Sequence, residues 1–217
     1  MACGLHFFRA GGNRFAFLKE FFYFLLKHQY CPLPLIRNWR NICRQANSMK
    51  TDLDITKNEI DKGVDAIRKR RFDQVKNLYQ RMGVNRKDRK KRTLLLNATI
   101  YGELELVKWA VSHDAHLDHQ DEQGFGALHF AVQKGEIEIV ELMLRSGISV
   151  DLQDEFGNTA LWRGMMDNVS ASIIELLLRY GADPDRANHY RVSPRQLLSP
   201  DNKNYLHIKN LLERYTK

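Results

Sequence analysis

The densest group of residues able to do chemistry is HDAHLDHQD, in which His113, His116 and His119 recur every third position beside Asp118 and Asp121. Three imidazoles and two carboxylates are a ligand set that Zn²⁺ accepts. The plainer reading of this short, turn-like stretch is a loop, and neither metal nor cofactor is expected. A second candidate is the basic run RKDRKKR at 86–92, a pattern seen in import signals and nucleic-acid patches. Catalytic signatures are missing from the sequence: it has no nucleophile beside a base, no Gly-rich phosphate loop and no paired carboxylates at helical spacing. A non-enzymatic protein is therefore expected.

The three cysteines, Cys3, Cys31 and Cys43, all fall in the first 48 of 217 residues and form no CxxC pair. That usage fits neither a disulfide framework nor a zinc site, and it points to a reducing compartment, with the cytoplasm as default. The run Phe15 to Leu26 (FAFLKEFFYFLL) is interrupted by Lys19 and Glu20, so it is too short to span a bilayer. It lacks the cleavage site of a signal peptide. A short amphipathic helix on anionic lipid is the one membrane association it allows. The abrupt change at Met49 to a polar, helix-forming sequence suggests that translation starts there, which would make 1–48 a poorly defined extension and 49–217 the folded domain.

Hydrophobic residues make up 43% of the chain and charged residues 28%, ordinary values for a chain that folds in water. The net charge of +8 is unevenly spread. Residues 1–48 hold seven Lys/Arg against one acid and 49–92 hold fifteen against seven, whereas 93–217 hold twelve against eighteen. This division argues against a uniform polyanion as partner.

The elements that must position these residues emerge from self-comparison. At an offset of 33, Leu95 maps to Leu128 and Leu161, Gly102 to Gly135, Val107 to Val140, Asp118 to Asp151 and Gly124 to Gly157. Beyond Gly164 the offset is 34, placing one inserted residue within MMDNVSAS, between paired helices. Such a period is the mark of a solenoid. Thr93, Gly126 and Thr159 stand where a first helix begins, threonine being the better cap. Gly135 allows the turn into IEIVELMLRSG, whose Ile137, Val140 and Leu144, with Ile139 and Met143, form a buried stripe. Gly147 and Gly181 end the second helices.

These residues resemble the ankyrin-repeat family: DEQGFGALHFAVQKGEIEIVELMLRSGISVD follows its pattern, and DEFGNTALWRGMM followed by IIELLLRYGADPD repeats it. The resemblance implies an all-α ankyrin-repeat solenoid of about five helix-turn-helix units. Strong repeats are expected at 88–120, 121–153 and 154–187, with degenerate caps at 55–87 and 188–217, because terminal repeats turn one face to water. Ala66, Val75 and Leu78 are the ankyrin-like residues of the first cap, and Arg195 replaces a central leucine in the last. The TPLH pattern is altered in every unit (TLLLN, GALHF, TALWR, SPRQL), so only His129 can make the family's histidine hydrogen bond to a neighbouring repeat. The three histidines of HDAHLDHQD occupy the turn that usually reads GADVN, and the basic run occupies a loop, where a solvated basic tip is the plainer reading.

In this family partners bind the hairpin tips and the inward face of each first helix, which line a concave groove. The resemblance carries that role to Arg89, Lys90, Arg92, Ile100, Tyr101 and Gln120 in the first strong repeat. In the second it falls on Glu122, Gln123, Phe125, Gln133, Lys134 and Gln153, and in the third on Glu155, Phe156, Asn158, Met166 and Asp167. Tyr101, Phe125 and Phe156 are expected to be exposed anchors, since aromatic residues dominate interface energetics. Charge running from Arg86–Arg92 toward Glu122, Glu155 and Asp167 would orient a dipolar protein. The expected function is that of a monomeric protein-interaction module, with nucleic acid an unfavoured ligand. GNTALWRGMMDN and GADPDRANHYRVSP are similar to small bacterial ankyrin proteins, some of which neutralise a toxin encoded beside them, which implies an immunity or inhibitor protein. The alternatives are a regulatory scaffold and an effector adaptor held to membrane through residues 15–26.

Overall fold

A computed structural model describes residues 58–215. The cysteines, the aromatic run 15–26 and the Met49 start therefore lie outside the described residues. Helix α1 covers 58–68, and the chain continues through α2 (Phe72–Met82), α3 (Leu94–Ile100), α4 (Leu104–Val111), α5 (Ala127–Lys134), α6 (Ile137–Arg145), α7 (Ala160–Met166) and α8 (Ala171–Arg179). A 3₁₀ turn, Pro194–Leu197, and α9 (Tyr205–Arg214) complete it. Among the described residues there is no β-strand, only a single bridge between Gln120 and Gly126. The architecture is the all-α stack of five helix-turn-helix units expected from the 33-residue period.

The first helix of each strong repeat is seven or eight residues long and would not persist alone. Stacking supplies what is missing. First helices pack in one row, α3 on α5 on α7 on the 3₁₀ turn, and second helices in another, α4 on α6 on α8 on α9. Leu94, Leu95, Val107, Val140, Leu161, Ile174 and Leu177 are fully or almost fully buried between units, and each contributes on the order of 1.5–3 kcal/mol by leaving water.

Local chemistry sets the boundaries. Thr93 Oγ1 accepts from Leu96 N at 3.5 Å and Thr159 Oγ1 from Trp162 N at 3.2 Å, while Gly126 has no side chain with which to do the same. The second unit compensates differently, because His129 Nδ1 reaches back to accept from Gly126 N at 3.2 Å. Gly135 adopts φ 74° between α5 and α6. The inserted residue lies in the 167–170 connection between α7 and α8, the longest of the three inter-helix turns in the strong repeats. In the last unit Pro194 and Arg195 reduce the first helix to a 3₁₀ turn, and Arg195 pairs with Asp185 at 2.7 and 2.9 Å instead of entering the core.

Candidate partner-binding face

Four hairpin tips project from the stack, and one side chain shapes each. Asp88, Asp121, Asp154 and Asn188 stand in equivalent positions, and Oδ1 of each accepts the backbone N–H groups two and four residues on, at 2.8–3.1 Å. This local closure is what Asp and Asn do best. Successive tips then join through the backbone: Glu122 N donates to Lys90 O, Glu155 N to Gln123 O, and His189 N to Phe156 O, at 3.0–3.3 Å. Gln120 Nε2 donates to Gly124 O and to Gln153 O, and Gln153 Nε2 repeats the pattern toward Gly157 O and Ala187 O. The tips thus form one fixed row.

Beneath the row lies a set of satisfied buried polar groups. Asp121 pairs with Arg92 at 3.0 Å, and Asp154 with Arg163 at 2.6 Å. Burial works to raise the Asp154 carboxyl, but Arg163, Asn158 and the turn N–H groups outweigh it and hold it below the ordinary carboxylate range. Asn158 also accepts at Oδ1 from Asn188 Nδ2 at 2.8 Å, passing the network to the next tip. His129 Nε2 donates to Asn158 O at 3.1 Å, so the ring is the neutral Nε2–H tautomer, and burial pushes its pKa below the usual imidazole value.

Between tips and first helices runs a stack of cations and rings. The Arg92 guanidinium sits 5.3 Å from the Phe130 ring, Phe130 stacks on Phe125 at 5.3 Å, and Arg163 lies 4.6 Å over Phe125 and 5.9 Å from Trp162. Trp162 Nε1 donates to Val192 O at 3.1 Å. These side chains are half-buried.

The candidate residues separate accordingly. Lys90, Glu122, Gln123, Glu155 and Phe156 are exposed on tips, and Arg89 is exposed there with an ion pair to Asp61 at 2.9 Å. Tyr101, Gln133, Lys134, Met166 and Asp167 are exposed at the far ends of the first helices, with Ile100 half-buried among them. Three expectations need correction. Asn158 is only 4% exposed and serves the Asp154 network, so it is not a surface residue. Phe125 is half-buried between Phe130 and Arg163 rather than an open anchor, and Arg92 is held by Asp121 and Phe130. Gln120 and Gln153 serve the tip ladder.

Sequence reasoning missed Tyr190, 71% exposed at the tip position equivalent to Phe156, and also Phe130, Trp162 and Arg163 on the first helices. The 33-residue offset holds the clue to the last group: Asn97, Phe130 and Arg163 form one column and Leu96, His129 and Trp162 the next. Tyr190 lies one residue past that offset because of the insertion. The histidines of HDAHLDHQD go to separate partners. His113 stacks on Trp109 at 4.1 Å, His119 Nε2 donates to Lys91 O at 2.7 Å, and the backbone of His116 donates to Asn85 at 2.8 Å. Among the described residues no group of three potential ligands is arranged to hold a metal ion.

A stack of helix pairs joined by hairpin tips defines a repeat scaffold. The chain belongs to the ankyrin-repeat family: the family model "Ankyrin repeats (3 copies)" matches residues 64–154 and 118–188, together more than half of the chain. Ankyrin repeats are protein-interaction modules. The chain is similar to protein phosphatase 1 regulatory subunit 27 of Mus musculus, 33% identical over 116 residues, which are 53% of this chain and 75% of that protein. It is also similar to BCL-6 corepressor-like protein 1 of Homo sapiens, 31% identical over 110 residues, covering 50% of this chain but only 6% of the relative. The RelA-associated inhibitor of Mus musculus is 31% identical over 113 residues, 50% of this chain and 14% of that protein. Apart from the phosphatase subunit, these relatives are far longer than the matched segment. Such mammalian relatives, together with viral ones including an IkB-like protein of African swine fever virus at 26% identity over half of this chain and 49% of that protein, do not support the bacterial resemblance.

Proposed function

We propose that the chain is a non-catalytic regulatory adaptor that holds one partner protein across the hairpin tips and the first-helix face of residues 88–190. The observation that carries this reading is the placement of exposed apolar side chains. Of the six large hydrophobic residues exposed among the described ones, Phe156 and Tyr190 are on adjacent tips, and Tyr101 and Met166 are on the first-helix turns. Solvent-exposed aromatic groups on a rigid frame lose little entropy on binding and supply hot spots. Relatives named as a regulatory subunit, a corepressor and an inhibitor favour regulation over the toxin-immunity alternative, which rested on bacterial likeness.

The test is affinity capture with the full chain, beside a Tyr101→Ala/Phe156→Ala variant. One stoichiometric protein should be retained by the wild type and lost by the variant, with an affinity reduced by about 2–4 kcal/mol and an unchanged melting curve. Equal retention by both would remove these residues from the interface.

A further inference from the structure

The first hairpin tip differs from the others in a way that scaffold stability does not require. Arg86, Lys87, Arg89, Lys90 and Lys91 are all exposed, and apart from Arg89 none has an ion pair among the described residues. Three nearby carboxylates are engaged: Asp61 pairs with Arg89, Asp88 closes the turn and accepts from Asn97 Nδ2 at 3.0 Å, and Asp121 holds Arg92, while the exposed Glu122 of the next tip makes no ion pair with the patch. The cations therefore stay uncompensated within the fold, at a cost in mutual repulsion.

The backbone adds a second observation. The position three residues after the turn-forming Asp or Asn is left-handed in all four tips, and it is glycine in the two central ones, Gly124 (φ 77°) and Gly157 (φ 78°). In the first tip it is Lys91 at φ 59°, and in the last it is Arg191 at φ 62°. A lysine there costs about 1–2 kcal/mol of local strain that glycine would avoid. It is held by its surroundings, since Lys91 O accepts from His119 Nε2 and Lys90 O from Glu122 N. What is particular to the first tip is that its strained residue adds one more cation to a patch of four others, whereas Arg191 stands beside Tyr190 and His189.

We infer that this tip, residues 86–91, is a preorganised site for an acidic segment of the partner protein, and the inference rests on the adaptor reading above. Continuation along the row selects protein over nucleic acid. The next tips present Glu122 and Glu155, then Phe156 and Tyr190, so a uniformly charged strand would meet repulsion after one tip. A polypeptide whose carboxylates are followed by neutral and apolar residues would not. The partner's acidic end is thereby placed over the first tip and its apolar part toward Phe156 and Tyr190.

Fluorescence anisotropy of the full chain with a labelled peptide of about ten residues, half of them glutamate, tests this directly, with the glutamine counterpart and an oligouridylate of similar length as the other arms. The glutamate peptide should bind, the glutamine peptide should bind at least tenfold more weakly, and raising salt from about 0.05 to about 0.5 M should abolish the difference. A Lys87→Gln/Lys90→Gln/Lys91→Gly variant should lose about tenfold in affinity for the glutamate peptide, from three exposed ion pairs, while keeping its circular dichroism and melting no lower than the wild type, since strain and like-charge repulsion are both relieved. Lys91→Gly alone suits the left-handed site and guards against misfolding. Equal binding of both peptides, or tighter binding of the oligouridylate with the same loss in the variant, would overturn the inference. In the capture experiment, a partner that survives the triple lysine variant but is lost on Tyr101→Ala/Phe156→Ala would overturn the tip site while leaving the adaptor reading in place. A partner indifferent to both would overturn both.

Discussion

Replacing His129 with leucine should cost the fold about 1–2 kcal/mol, and it should flatten the dependence of stability on pH. His129 is 1% exposed, accepts from Gly126 N at 3.2 Å and donates to Asn158 O at 3.1 Å. Leucine removes both bonds and leaves the buried Gly126 N unpaired, at about 1–3 kcal/mol, whereas Asn158 O keeps its bond from Asp154 N at 3.0 Å and loses only about 0.5–1.5 kcal/mol. Burying its apolar side chain returns part of this, on the order of 1–2 kcal/mol. The site accepts the shape, since Leu96 fills the same position one unit earlier. The pH arm follows from the tautomer. Burial, only partly opposed by the Asn158 bond and by Asp154 and Asp121, lowers the folded-state pKa. The unfolded chain, with an imidazole near 6.5, then binds the proton more readily. Stability from this group is present above about pH 6.5 and falls as pH drops toward the folded value, with a limiting slope of about 1.4 kcal/mol per pH unit. Protonation would also remove the Nδ1 acceptor from Gly126. Urea titrations of wild type and His129→Leu between about pH 5 and 8 measure both effects, and the difference between the curves isolates this one imidazole from the chain's other seven. Parallel pH profiles, or a stability loss below about 0.5 kcal/mol at neutral pH, would refute the assignment of His129 as a neutral inter-repeat bridge.

The remaining predictions concern the stack and the tips. Val140→Asp or Leu161→Asp places a charge between fully buried layers and should remove the cooperative melting transition, at a cost of about 4 kcal/mol or more; a normal thermal melt would contradict the register. Asp154→Ala strips two turn bonds and the Arg163 partner and should cost about 3–5 kcal/mol, whereas Asp154→Asn should lose about half as much, because Asn188 closes the equivalent tip with an amide. Equal losses in chemical denaturation would show that the charge, not the turn, matters. In acid, below about pH 4, the wild type should lose the Asp154 contribution as the carboxyl protonates through its lowered pKa, and Asp154→Asn should not.

The stack was legible in the sequence because each repeat reuses one set of apolar positions, so Leu95, Leu128 and Leu161 announce one buried column without any structure. The turns were legible for the same reason, and the single offset change fell where the 167–170 connection lengthens. Exposure within the candidate face was harder to read. A tip residue's fate depends on the residue one period away: Phe125 is covered because Arg163 of the next unit lies over it, and Asn158 is drawn in because Asn188 is an amide of matching reach. Those pairings belong to variable positions, where a family pattern states only that something differs. The same column, read as pairs across the 33-residue offset, would have suggested the Arg–Phe contact but not its 4.6 Å geometry.

Tip glycines show how the same dependence limits the array. A Cβ on Gly124 would lie 2.6 Å from Glu155 N, and one on Gly157 would lie 2.8 Å from His189 N, so in the central tips the following hairpin excludes any side chain independently of φ. At Arg191 (φ 62°) no further tip follows among the described residues, and only the conformational cost remains. Side-chain chemistry at this left-handed position is thus open at the last tip and closed in the middle. Lys91 occupies it in the first tip although another hairpin follows, and it does so with a cation. The two ends of the row are therefore where the fold carries charge at this left-handed position, and the acidic and aromatic tips between them set the polarity that a bound polypeptide would have to match.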